Sequence, residues 1–362
     1  MSTTSQFTKN DTAAMKGIAI LMMMVHHCFV DNRYADYDLS FVLIDEYYVG
    51  IIASFCKICV SLFVFLSGYG ITVGLLRLDL QDKNALRKQI TRRYFSMMSG
   101  YWVMYILCAI LFLIFLPSRF SAYDGDHMLD APVYALIDFM GLAHLFGTPT
   151  LIATWWYMSL AVIIVVITPM FFLLYKRFGT IALFVVTFMF CGLFKTINFD
   201  LIRWLFTLAL GMVCADHNLL AKIKDFKIIK NKYADYIIKF IIYTAVLLFC
   251  IYARQNIFAK ISYLRDGIIP LFVIIYCYTI IFPIPVVNTV LQFLGKHSMN
   301  IFLFHTILRG YILKDFIYGL KYPLVIVTVL LGMSLIVSNL VELIKKYSGY
   351  NKLCRKIISK IA

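Results

Sequence analysis

Long apolar runs separated by short polar loops dominate the sequence from residue 14 to residue 342. Most of these runs are about 17 to 25 residues long, which is the length that crosses a bilayer as an α-helix. None of the polar stretches between them is long enough to form a separate soluble domain. The runs predict ten transmembrane helices: residues 14–30, 51–76, 96–116, 152–174, 178–194, 201–216, 236–253, 264–282, 297–313 and 322–342.

A shorter apolar patch, residues 133–147, contains Asp138 and His144. We interpret it as an interfacial or re-entrant helix rather than an eleventh crossing, because it is too short and too polar to span the membrane.

The charged loops orient the predicted helices. Basic segments are cytoplasmic by the positive-inside rule, and three segments qualify: residues 77–93, 217–235 and 343–362. Ten crossings keep all three inside and place both termini in the cytoplasm. Residues 254–263 fit less well, because this loop is assigned to the outer side although it contains Arg254 and Lys260.

Composition supports an all-α integral membrane protein. Of the 362 residues, 62% are hydrophobic and only 15% are charged, and the mean hydropathy is +0.84. The net charge of +15 is typical of contact with anionic lipid headgroups in such a protein, so we expect no nucleic-acid partner. The nine cysteines lie mostly in apolar runs, where cysteine acts as a small hydrophobic residue, and we expect no metal site.

The first predicted helix carries ionisable residues in an apolar context. Lys16 and His27 are eleven residues apart, which is about 16 Å and three helical turns, so they share one face. Ionisable residues inside membranes usually face a bundle interior or a cavity. In the simpler alternative, Lys16 extends to the lipid headgroups and His27 lies at the outer interface. A neutral imidazole is a suitable general base for a hydroxyl, and Asp31 is a candidate to orient it.

Other segments offer weaker signals. Ser67 and Gly68 lie among aromatic residues at the end of the second predicted helix, where small residues commonly serve helix packing. Arg87, Arg92 and Arg93 are topology determinants that also suit phosphate groups. His305 is a second histidine deep in an apolar run, again with a functional expectation.

Taken in order, these motifs resemble the acyltransferase-3 family of bacterial membrane acyltransferases. The resemblance rests on a basic residue and a histidine separated by ten positions (Lys16, His27), "FVFLSGY" ending at Tyr69, a basic cytoplasmic segment, "WWYM", and a late segment comprising Leu294, Gly295, Ser298, Ile301, Leu303 and His305. The family often has a third arginine and a proline after its arginine pair. Here Arg92 and Arg93 are followed by serines.

The resemblance implies an acyltransferase domain over residues 11–342 and a basic cytoplasmic tail over residues 343–362, in a multi-pass protein of the bacterial inner membrane. It implies transfer of an acyl group, usually acetyl, from acetyl-CoA to a hydroxyl of a saccharide or lipid-linked saccharide at the cell surface, with no permanently bound cofactor.

The resemblance also gives the expected site. His27, Ser67 and His305 are the expected catalytic residues, with His27 as general base and Ser67 or a backbone donor at the oxyanion. Lys16, Arg87, Arg92 and Arg93 are the expected CoA-binding residues.

Three alternatives remain at this level. In the first alternative, the acceptor is an amine or the acyl chain is longer than acetyl, since the sequence does not define the size of the donor pocket. In the second alternative, the chain is a transporter or exporter of a lipid or saccharide. The sequence lacks the repeated broken helices common in transporters, which weakens this hypothesis. Direct transfer and an acyl-enzyme route are both compatible with the motifs.

Overall fold

The computed structural model describes residues 6–30, 33–80, 82–193, 200–258 and 261–361. These ranges are mostly helical, with no β-strand among them, which confirms the all-α class. The helices are α1 (Lys9–Phe29), α2 (Glu46–Phe55), α3 (Cys59–Leu75), α4 (Lys83–Phe115), α5 (Asp130–Phe139), α6 (Ala143–Phe146), α7 (Trp156–Leu193), α8 (Asp200–Asp216), α9 (Leu219–Asp225), α10 (Lys232–Asn256), α11 (Ser262–Tyr276), α12 (Pro285–Lys296), α13 (Ser298–Ile307), α14 (Lys314–Gly319), α15 (Pro323–Tyr347) and α16 (Tyr350–Ile361).

Polar caps set where two of the long helices begin. Before α1, Thr8 Oγ1 accepts from the backbone N–H of Asp11, and Asp11 Oδ2 accepts from that of Thr8, which is a reciprocal cap. Before α4, Asp82 accepts from the N–H groups of Asn84 and Ala85. As a result α4 begins well before its apolar part, and the basic residues predicted as a loop lie on its first turns.

Seven helices within the described ranges are long and apolar enough to cross a membrane, and a bent pair formed by α8 and α9 makes an eighth. The protein is therefore a multi-pass membrane protein. The count of ten crossings and the orientation of the termini remain predictions.

Two features account for the difference between ten predicted spans and seven or eight. Element α7 covers both the fourth and the fifth predicted spans, and it consists of two helices that meet at a kink. Gly179, with φ 84°, breaks the helix close to the predicted loop. The ninth predicted span is short, with ten residues in α13 followed by a π-helical turn at Leu308–Ile312.

The described residues form two compact units. Unit 1 takes its residues from 1–23, 55–81 and 166–296, and unit 2 from 24–54, 82–165 and 297–362.

Glycines allow close helix packing in unit 1. A Cβ on Gly68 of α3 would lie 2.6 Å from the carbonyl oxygen of Leu208 in α8, and a Cβ on Gly211 would overlap the carbonyl oxygen of Phe65. Helices α3 and α8 are therefore in backbone contact, which only glycine permits at these positions.

The same device joins α1 and α12. A Cβ on Gly17 would overlap the carbonyl oxygen of Leu291, and a Cβ on Gly295 would overlap that of Ala13. The two contacts are four residues apart on each helix, so one face of α1 lies directly against α12.

A buried carboxylate organises α5 in unit 2. Asp138 is 1% exposed and accepts hydrogen bonds from Tyr123 Oη at 2.5 Å, the backbone N–H of Leu151 at 2.7 Å and Tyr101 Oη at 3.3 Å. Burial raises the pKa of Asp138 above its ordinary value, although the three hydrogen bonds act in the opposite direction. The patch predicted as interfacial consists of two short helices, α5 and α6.

The basic C-terminal segment is also structured. Helix α16 packs against α4, and Tyr350 Oη donates to the carbonyl oxygen of Ser99 at 2.8 Å. None of its described residues is buried.

Candidate active site

Three histidines meet at the end of α1 in unit 2. His26 and His27 are adjacent on α1, with ring centroids 5.2 Å apart, and the ring of His305 in α13 lies 5.0 Å from that of His27. Two residues 278 positions apart in the sequence therefore form one cluster, with His27 at its centre.

The three rings are held differently. His26 Nδ1 donates to the carbonyl oxygen of Ala53 at 2.9 Å, which ties α1 to α2. His27 Nδ1 is buried and has no hydrogen-bond partner within the described part of the chain, while part of the ring remains accessible. A buried ring nitrogen without a partner costs stability, so His27 carries capacity for a proton or a hydrogen bond that the fold does not use.

His305 has a defined tautomer. Its Nδ1 lies 2.8 Å from the carbonyl oxygen of Phe302, and since a carbonyl only accepts, Nδ1 carries the proton. Nε2 is then an acceptor, and Thr306 Oγ1 lies 3.1 Å from it. Thr306 Oγ1 in turn contacts Thr154 Oγ1 at 3.1 Å. This buried chain of polar groups holds the His305 ring beside His27.

A buried arginine is linked to the backbone beside His27 through Tyr318, which donates to the carbonyl oxygen of Cys28. Arg309 is 7% exposed and lies in the π-helical turn after α13. Its Nη1 donates to Tyr318 Oη at 3.2 Å, while its Nε is buried without a partner. Its positive charge acts electrostatically on His27.

No carboxylate neutralises this arginine. Among the described residues, none of the ion pairs includes Arg309. Isolated buried charges are strongly penalised, so a buried guanidinium without a carboxylate partner among the described residues is a candidate site for negative charge.

The sequence profile of the acyltransferase-3 family, described as an acyltransferase domain, matches residues 13–342. The chain belongs to the acyltransferase-3 family. It is therefore a membrane acyltransferase, and the matched range contains the whole histidine cluster. No curated protein and no solved structure gives a significant match.

Ser67 of the acyltransferase lies in unit 1, on α3, and its Oγ donates to the carbonyl oxygen of Phe63 at 2.8 Å. The neighbouring Gly68 is needed for contact with α8. Part of the "FVFLSGY" motif thus serves helix packing, and the oxyanion role of Ser67 remains a prediction.

The predicted CoA-binding residues of the acyltransferase divide between the units. Lys16 is half-buried in unit 1, whereas the three arginines lie on α4 in unit 2, with Arg87 and Arg92 exposed and Arg93 half-buried. Arg87 and Arg92 are five residues apart, about 140° around the helix. The arginines therefore surround the start of α4 instead of forming one face.

A sequence signal for Arg309 did exist. It lies inside the ninth predicted span, four residues after His305, and a charge in such a position is functional by default. The threonine contacts had no comparable signal. Asp31, the predicted partner of His27, lies outside the described residues.

Proposed function

We propose that this acyltransferase transfers an acetyl group from acetyl-CoA, on the cytoplasmic side of the bacterial inner membrane, to a hydroxyl of a cell-surface saccharide or its lipid-linked precursor. The observation that carries the proposal is the buried, unpartnered Nδ1 of His27. It lies beside His305 and within the electrostatic influence of Arg309.

In the proposed reaction His27 is the general base. It takes the proton from the acceptor hydroxyl as that oxygen bonds to the carbonyl carbon of the thioester. The carbon–sulfur bond then breaks, the ester is released, and the proton passes from His27 to the CoA sulfur. General base catalysis of this kind contributes about 10²- to 10⁴-fold to a rate.

Arg309 stabilises the negative charge that forms on the thioester oxygen. A buried guanidinium without a carboxylate partner keeps its full charge available, and a preorganised donor at an oxyanion is often the largest contribution to acyl transfer. Ser67 is less suited to this role, because its hydroxyl proton is already donated to Phe63 within α3.

His305 is a positioning residue in this proposal. Its ring is fully buried, and its tautomer is fixed by Phe302 and Thr306. It therefore packs against His27 and limits the orientation of the His27 ring, without exchanging protons itself.

The donor side rests on the start of α4. Arg87 and Arg92 are exposed, and neither has a protein partner within the described ranges. Their guanidinium groups suit the phosphates of CoA, and Arg93, on the same helix, supplies further positive charge.

The test compares His27→Gln with the matched variant His26→Gln. Each protein is expressed in cells lacking the native enzyme, and base-labile acetyl esters on the surface polysaccharide are measured by NMR. Membranes are also incubated with radiolabelled acetyl-CoA. We expect His27→Gln to lose about 10²-fold or more in transfer rate, whereas His26→Gln retains transfer in proportion to its folded amount. Normal transfer by folded His27→Gln protein would exclude His27 as the base.

A further inference from the structure

Unit 1 contains a second buried charged cluster, centred on Asp266 at the start of α11. The Asp266 side chain has no exposed surface. Arg203 donates to its Oδ2 from Nε at 2.8 Å and from Nη2 at 2.6 Å, and Arg254 Nη1 donates to its Oδ1 at 2.7 Å. One carboxylate therefore engages two guanidinium groups.

Close helix packing builds this cluster. Thr207 Oγ1 donates to the carbonyl oxygen of Asp266 at 2.7 Å, and a Cβ on Gly267 would overlap the ring of Phe206. Helices α8 and α11 are thus in direct contact at Asp266, and the end of α10 brings Arg254 to the same place. The charges are held by the fold rather than by flexible surface side chains.

Positive charge exceeds negative charge in the cluster. Lys57 is exposed and lies in the turn between α2 and α3, which packs against α11, within electrostatic range of Arg203, Arg254 and Asp266. Arg265 lies beside them, with its Nε 3.5 Å from Asp266. Even without Arg265, three cations face one carboxylate.

Several donors of these cations are unused. Within the described ranges, Nη1 of Arg203, Nε and Nη2 of Arg254 and the ammonium of Lys57 have no protein acceptor. Arg254 is 5% exposed, so its remaining donors are expensive to leave without a partner. Arg203 also stacks on Trp204 at 4.7 Å, and the indole Nε1 of Trp204 is buried without a partner.

The cluster also accounts for a difficulty in the predicted topology. A topology of ten crossings assigns the ends of four predicted spans to the outer side, and these ends carry Lys57, Arg203, Arg254 and Asp266. Arg254, which argued against that assignment, is buried and paired with Asp266 rather than exposed to the aqueous phase. The assignment of these ends to the outer side stays a prediction.

We propose that Lys57, Arg203 and Arg254 form a binding site for a phosphate group. Planar guanidinium forks and an ammonium are the donors that recognise phosphate, and a phosphate group with one to two negative charges offsets half or all of the two positive charges by which these three cations exceed Asp266. The phosphate is carried by a lipid headgroup or is free in solution. The site is separate from the catalytic proposal and does not depend on it.

The test uses the full-length protein in nanodiscs of uncharged lipid and measures thermal unfolding. One arm adds inorganic phosphate against chloride at equal ionic strength, and the other adds short-chain phosphatidic acid against the corresponding uncharged lipid. Stabilisation by inorganic phosphate supports a site for free phosphate, and stabilisation by phosphatidic acid alone supports a lipid headgroup. No stabilisation in either arm overturns the proposal.

Variants locate the site. Lys57→Gln removes one positive charge and leaves the Asp266 ion pairs intact, so it is expected to fold and to weaken binding about tenfold, the effect of losing one charge-assisted hydrogen bond. The control, Lys230→Gln, removes an exposed lysine and is expected to bind like the parent. Equal binding by Lys57→Gln and Lys230→Gln contradicts the assignment, whatever the acyl transfer activity of either variant.

Discussion

Replacing Arg309 with methionine is expected to separate stability from activity. The side chain is buried without a carboxylate partner, which costs several kcal/mol in a folded protein. The substitution loses the bond from Nη1 to Tyr318 Oη, about 0.5–1.5 kcal/mol, but Tyr318 still donates to the carbonyl oxygen of Cys28 at 3.0 Å. We therefore expect the free energy of unfolding to stay the same or to rise by about 1–4 kcal/mol.

Acyl transfer by Arg309→Met is expected to fall. Loss of one oxyanion donor typically lowers kcat about 10²- to 10³-fold, equivalent to about 2.7–4 kcal/mol of transition-state stabilisation. The assay pairs thermal unfolding, followed by tryptophan fluorescence in nanodiscs, with transfer from labelled acetyl-CoA per folded molecule.

Arg119 provides the matched control in the same unit. Its Nε donates to the carbonyl oxygen of Leu151 at 2.8 Å, so Arg119→Met leaves a buried acceptor unpaired and is expected to lose about 1–3 kcal/mol of stability. Its activity per folded molecule should be unchanged. If Arg309→Met instead behaves like Arg119→Met, destabilised but active when folded, Arg309 is structural and our reasoning is wrong.

Three further outcomes are expected. Because burial raises the pKa of Asp138, the folded state holds this proton more tightly than the unfolded chain. The free energy of unfolding should therefore decrease as pH rises through the ordinary carboxyl pKa of about 4 towards the raised value, and Asp138→Asn should remove that decrease in pH-dependent thermal scans. Gly295→Ala places a methyl group on the Ala13 carbonyl, so it should lower the free energy of unfolding by about 1–3 kcal/mol in the same scans. The control Gly332→Ala, in open space within α15, should leave the free energy of unfolding unchanged or raise it by up to about 1 kcal/mol. Arg92→Gln should raise KM for acetyl-CoA and leave kcat unchanged, since an exposed contact to phosphate stabilises ground and transition states alike; a fall in kcat alone would assign Arg92 to the reaction itself.

Hydropathy predicted the membrane helices well but not their boundaries. It detects the apolar part of a helix, whereas caps and continuity depend on polar residues. The Asp82 cap extends α4 into the basic segment, and a kink at Gly179 separates the fourth and fifth predicted spans instead of a longer polar loop.

The site shows the same division between what a sequence reveals and what packing decides. His27 and His305 were identified singly because each is a histidine in an apolar run. Their contact depends on the packing of α1 and α13, which no periodicity encodes. Arg309 is also a charged residue in an apolar run, but it was overlooked. The role of Thr154 could not be predicted, because hydroxyl groups in membrane helices commonly bond to their own backbone.

The contact between α16 and α4 has a practical consequence for handling this protein. Residues 350–361 are easily taken for a dispensable tail, but Tyr350 holds them to the helix that carries the exposed Arg92. A truncation before Tyr350 would expose part of α4 to solvent. A bulky C-terminal tag would disturb the packing of α16 against α4. We expect either change to lower activity if the proposed CoA-binding residues of α4 bind the donor, and an N-terminal tag is the appropriate comparison.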